Sequence, residues 1–174
     1  MCDSTDRHEP DQDSRGSDES RAVRFLVDGT AGRLVRWLRL LGFDSAYAER
    51  AADYNLVHRA RSEGRVLLTR RASAAALPWA EAVHLESDSL DEQLFQVAAL
   101  FPPPEHPMTR CSLCNAQLEV VPKEAVRDEV PPYVYATASG FSKCPECGHV
   151  YWQGTHFPKI MRRWKSLRKL SRSG

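Results

Sequence analysis

The sequence predicts an α/β fold, a three-layer α/β/α domain with a parallel sheet, followed by a second and much smaller module. Three observations predict it. From residue 22 to about 100, short apolar strands alternate with amphipathic helices. A proline-rich break, PPPEHP, follows at 102–107, and beyond it four cysteines come in two close pairs. Repeated β-α units with short connections imply parallel strands and right-handed crossovers. The expected division is an acidic tail over 1–21, the α/β domain over 22–101, the cysteine module over 102–158 and a basic segment over 159–174.

VRFLVD (23–28) reads as the first strand and ends in a carboxylate, Asp28. After a glycine-containing turn, residues 32–41 read as a helix with Leu34, Trp37, Leu38 and Leu41 on its apolar stripe and Gly42 as its stop. FDSAYA (43–48) is a second strand. Asp53 is a suitable N-cap for a helix through Arg61 that buries Leu56, Val57 and Ala60. RVLLT (65–69) is a near-continuous apolar run of the kind buried on both faces of a parallel sheet. A short alanine-rich helix (72–76), a fourth strand at EAVHLE (81–86) and a helix capped by Asp88 or Ser89, with Leu90, Leu94, Val97 and Ala98 inward, complete the domain.

Cys111-x2-Cys114 and Cys144-x2-Cys147 are separated by 29 residues. Two such pairs supply four thiolates in tetrahedral geometry, which suits structural zinc with no open position for catalysis. Asn115 and Gly148 fit the tight turns that such knuckles need. Fewer than 60 residues hardly hold a core without a metal. YVYA (133–136) and VYW (150–152) read as strands of a three-stranded zinc ribbon. Phe141, Tyr151, Trp152 and Phe157 either cover its small core or stack on unpaired bases, and the first use is expected for most of them.

Charge is uneven. Residues 1–20 hold seven acids and two arginines and are expected to be disordered, whereas residues 21–174 carry a net charge of +6. The cationic part favours a polyanionic partner. No apolar run is long enough for a membrane span and no signal peptide is legible, so the cytoplasm is the expected location. The last stretch, with seven Lys or Arg between Lys159 and Arg172, is read as an RNA anchor, a partner-docking helix or a solvated tail. Ile160, Trp164 and Leu167 share one side of it.

The runs FLVDGTAGRLVRWLRLLGFD, EGRVLLTR and ESDSLDEQL, then the two knuckles with VPPYVY and VYWQGTHF, resemble the Mut-seven C-terminal RNase domain family. The resemblance implies a PIN-like nuclease core followed by a zinc ribbon, acting on RNA. PIN-like nucleases hold one or two Mg2+ or Mn2+ ions with clustered carboxylates and hydrolyse phosphodiesters through metal-activated water. On the family pattern Asp28 is the first acid and Asp53 the acid at the start of the second helix. The next acid follows Leu-Thr-Arg, but here Arg71 stands in its place. Asp88 is the candidate for a further ligand.

Two readings follow. In one, Asp28, Asp53 and Asp88 form a catalytic metal site and the protein is a ribonuclease. In the other, the metal is lost and Arg33, Arg36, Arg70 and Arg71 grip phosphates without cutting, as an RNA-binding or ribosome-associated protein. A blander use of Asp28 is to cap the first helix.

Overall fold

The structure is a computed structural model that describes residues 22–49 and 51–171. The expected acidic tail lies outside the described residues. β1 (Arg24–Asp28), β2 (Asp44–Ala48), β3 (Val66–Thr69) and β4 (Ala82–His84) form one parallel sheet in the order β2-β1-β3-β4. A 3-10 turn at Gly29–Ala31 leads into α1 (Gly32–Leu40). α2 (Asp53–Ser62), α3 (Ala72–Ala75) and α4 (Leu90–Leu100) follow.

Successive residues of β1 point to opposite faces, as the two-residue period of a strand requires. Phe25 and Val27 join Leu34, Leu38, Leu94 and Val97 in one apolar layer. Leu26 and Leu67 join Leu56, Val57, Ala60 and Ala74 in the other. α1 and α4 therefore cover one face of the sheet, and α2 and α3 the other. The crossover from β1 steps outward to β2, and the next steps back past β1 to β3, which is why α1 and α2 lie on opposite faces. The strand order thus reverses between β1 and β3, and open α/β sheets bind ligands outside the strand ends at such a point.

Asp53 opens α2 as expected, but Ala52 occupies the N-cap and Asp53 makes no cap bond, because its carboxylate is engaged elsewhere. Ser89 likewise sits at the cap of α4 without a side-chain bond.

Past the break, β5 (Glu119–Val121), β6 (Phe141–Lys143) and β7 (Val150–Trp152) form an antiparallel sheet. The strand expected at YVYA is instead part of a helix, α5 (Pro132–Thr137). Proline is favoured at the first helical position because its fixed φ suits the helix and its missing N–H is no loss there. Pro131 accepts the Tyr135 amide at 2.9 Å to close the turn.

α6 (Phe157–Leu170) folds back onto the first domain. Leu167 enters the apolar layer beneath α1 and α4. Trp164 donates its indole N–H to the Pro104 carbonyl at 3.0 Å, and Arg163 pairs with Asp91. Among the described residues no helix is long and apolar enough to cross a membrane.

Candidate functional site

Asp28 ends β1 at the reversal point and is fully buried. It occupies the N-cap position of the following turn but makes no side-chain cap bond there. Its Oδ2 accepts hydrogen bonds from the hydroxyls of Thr69 at 2.8 Å and Thr30 at 2.7 Å. Thr69 ends β3, so two neighbouring parallel strands deliver carboxylate and hydroxyl to one spot. The Oδ1 of Asp28 faces the guanidinium of Arg71 at 3.2 Å.

That guanidinium also meets Asp53 at 3.1 Å and donates to the Ala51 carbonyl at 2.7 Å. Asp53 takes a further hydrogen bond from the Ser73 hydroxyl. The bonds from Ser73 and Arg71 hold the Asp53 carboxyl below its ordinary value, which makes it a weak base. Asp28 and Asp53 therefore flank one cation, and the cation is a side chain of this chain.

Asp88 takes no part in that arrangement. Its side chain, 81% exposed, pairs with Arg70, and its carbonyl accepts a 3.4 Å hydrogen bond from Arg33. Arg33, Arg70, Asp88 and Thr30 line a cleft of about 400 Å3 at the entry to α1. Thr30 separates the two sites, donating to Asp28 and accepting the Arg70 amide at 3.2 Å. Arg36 lies further along α1 and lines a different cleft. Of the seven residues expected at this site, the fold thus joins Asp28, Asp53 and Arg71 in one cluster and Arg33, Arg70 and Asp88 in a second.

The first cluster does not fit a divalent ion. Mg2+ demands near-octahedral oxygen coordination, and here a guanidinium bridges the two carboxylates. A metal beside Arg71 meets a repulsion of about 4 kcal/mol per unit charge at ~4 Å in a surface-like dielectric. Among the described residues, the four cysteines are the one group of three or more ligand-type side chains close enough to share an ion.

Those cysteines do fit a metal such as zinc. All four sulfurs lie within 4.8 Å of one another, with Cys111 and Cys147 at 3.6 Å and Cys114 and Cys144 at 3.3 Å. Tetrahedral Zn–S bonds of about 2.3 Å place sulfurs about 3.8 Å apart, whereas a disulfide needs about 2.05 Å. Asn115 and Gly148 have φ of 77° and 74°, and each closes its knuckle through a 3.0 Å amide bond to the first cysteine of its pair. Burial pushes the Cys111 thiol up, but the Tyr151 hydroxyl and the amides of Cys114 and Leu113 outweigh it and bring it to about 6. Cys114, by contrast, is pushed up to about 12: the Ala116 amide lowers it, but burial and the neighbouring cysteines outweigh that, and Cys147 is raised as well. The four sulfurs thus share their protons unevenly, and a bound zinc would take all of them as thiolates.

The first knuckle is also fastened to the sheet. Asn115 accepts the Ser45 amide at 2.9 Å and donates to Asp44 at 2.8 Å. Asp44 takes a 2.6 Å bond from Arg65 as well. Arg39, buried in α1, donates to the carbonyls of Ser45 and Ser112. It is a structural clamp, unlike Arg33 and Arg36 on the same helix, which are exposed.

Comparison with known proteins decides the family. The profile of the Mut7-C RNAse domain family matches residues 23–164. The chain belongs to that family. No curated protein and no solved structure matches it. Membership makes this a protein of a ribonuclease family, and its matched span covers both the sheet domain and the cysteine module.

Sequence reasoning missed Thr30, Thr69 and Ser73, the hydroxyls that hold the two aspartates. A threonine closing a buried apolar strand beside a strand that ends in Asp was the available signal. Asp44 and Arg39 carried none, because a charge at the first position of a strand or in the last turn of a helix reads as solvated.

Proposed function

We propose that this protein acts on RNA as a non-cutting member of its ribonuclease family. The observation that carries the reading is the Arg71 guanidinium bridging Asp28 and Asp53. It balances the buried charge of Asp28 where a nuclease of this kind needs a metal. Arg33 and Arg70, lining the adjoining cleft, are the groups assigned to phosphates. Arg71 supports the site from within, since both faces of its guanidinium fork are already spent on carboxylates. Zinc in the four-cysteine site is structural, as no coordination position stays open. An RNA strand, free or within a ribonucleoprotein such as the ribosome, fits this chemistry, and cysteines placed to hold a metal rather than paired as disulfides suit the cytoplasm.

A ribonuclease reading is favoured by family membership and by Asp28 and Asp53 still converging at the sheet's reversal point. It needs Arg71 to swing aside and Asp88 to leave Arg70, so that Asp28, Asp53 and Asp88 can take Mg2+ or Mn2+.

Incubating purified protein with single-stranded RNA and Mg2+ or Mn2+ separates the two. The expected result is salt-sensitive binding, weakened by Arg33→Ala, with no cleavage. Arg71→Asp is expected to introduce metal-dependent cleavage that Asp28→Asn abolishes. Cleavage by the unaltered chain, lost in Asp28→Asn, would replace the non-cutting reading with the ribonuclease one.

A further inference from the structure

On the side of the molecule where α1, β7 and α6 meet, two clefts run together. One, about 350 Å3, is bordered by Arg36, Lys159 and His156. The other, about 520 Å3, is bordered by His149, Trp152 and Phe157. They share Leu40, His156 and Ile160, so they form one groove with a cationic end and an aromatic end. No Asp or Glu lines either part. The side chains of Arg36 and Lys159 have no ion pair or hydrogen bond among the described residues, whereas Arg70, Arg71 and Arg163 are all paired with acids.

The aromatic end is built before any ligand arrives. Trp152 is 36% exposed, and its indole lies against Gly154, where a Cβ would come within 2.8 Å of the indole nitrogen. The strand that carries Trp152 is held by Tyr151, whose hydroxyl bonds the Ser112 amide at 2.9 Å and the Cys111 sulfur at 3.1 Å. The metal knuckle thus fixes the ring that faces the groove.

Cations along a groove with an exposed ring at one end are what an unpaired polynucleotide needs. Phosphates take the charge, and any base offers a face for stacking. A duplex keeps its bases stacked on one another and cannot use the indole. Arg36 lies three residues from Arg33 on α1, so one side of that helix joins this groove to the Arg33–Arg70 cleft.

We infer that the groove between α1, β7 and α6 binds single-stranded RNA, with Arg36 and Lys159 on phosphates and Trp152 stacked on a base. The inference rests on the RNA-acting reading and extends it from the carboxylate region to the zinc-side module.

The test is equilibrium binding of a short oligouridylate by the full zinc-loaded chain. Trp152→Ala is expected to lower affinity about tenfold, and to have no effect on an oligomer stripped of its bases. Gly154→Ala, which displaces the indole without removing it, produces the same base-dependent loss. Arg36→Ala and Lys159→Ala each lower affinity and reduce the slope of log K against log salt by about 0.7. Zinc content and circular dichroism of the variants report that the fold is kept. If these variants bind normally while Arg33→Ala or Arg70→Ala does not, the groove is overturned and the cleft reading stands. The reverse pattern upholds the groove and removes the cleft. Absence of RNA binding by the unaltered chain overturns both, and equal affinity for a paired duplex overturns the single-strand assignment.

Discussion

Arg71 illustrates how one side chain sets the chemistry of a site. A buried carboxylate needs a counter-charge, and Asp28 finds it in a guanidinium rather than in a metal. Removing that partner leaves an uncompensated charge, which costs 3–5 kcal/mol in a fully buried pair. Arg71 is 29% exposed, so Arg71→Ala is expected to lower stability by about 2 kcal/mol, measured by urea unfolding. Mn2+ is then expected to raise the melting temperature of Arg71→Ala and to leave that of the unaltered protein unchanged. An equal shift in both would mean that a metal already binds beside Arg71. The identity of residue 71 was legible as a departure from the family pattern. Where its guanidinium points was not, since that depends on α2 bringing Asp53 into reach.

Among the elements, β2 holds more together than its short sequence suggests. Asp44 at its start receives Arg65 from the edge of β3 and Asn115 from the first knuckle. Burial pushes the Asp44 carboxyl up, but the bonds from Arg65 and Asn115 outweigh it, so its folded value lies below the ordinary 3.8. A carboxyl depressed in the folded state adds stability that is fully present above its unfolded value and is lost as pH falls through the folded one. Stability should therefore begin to drop as pH falls below about 5 and go on dropping as it passes through the folded value, below 3.8, and Asp44→Asn should be less stable at neutral pH with a shallower drop. An unchanged slope in that variant would show that other acids govern the transition. α6 makes the complementary case. Leu167 is 1% exposed within the main core, so Leu167→Ala should cost about 3 kcal/mol in urea unfolding. A cost near zero would mean that the helix merely lies on the surface.

At the scale of the whole molecule, the two modules are one connected structure. The first knuckle bonds the sheet domain through Asn115 and Arg39, and α6 closes over α1 and α4 from the far end of the chain. Zinc removal is therefore expected to affect more than the ribbon. Chelation at neutral pH should lower the melting temperature of the entire protein and weaken amide protection in β2, measured by hydrogen exchange. Protection loss confined to residues beyond the proline-rich break would show that the sheet domain stands alone. The periodic elements were legible because burial imposes a period of two on strands and 3.6 on helices. YVYA was misread because composition, not periodicity, guided the reading. Its β-branched and aromatic content matches a strand, and only the preceding proline pair turns it into a helix.

The sequence alone determined the α/β order, the two cysteine pairs, the family resemblance and the absence of an acid at position 71, because each is local in the chain or fixed in its spacing. Tertiary structure decided which charges meet. Strand order placed Asp28 beside Thr69, and the start of α2 brought Asp53 to the same guanidinium. The return of α6 set Lys159 across from Arg36. Those pairings join residues far apart in the chain, and no local periodicity encodes the partner of a charge.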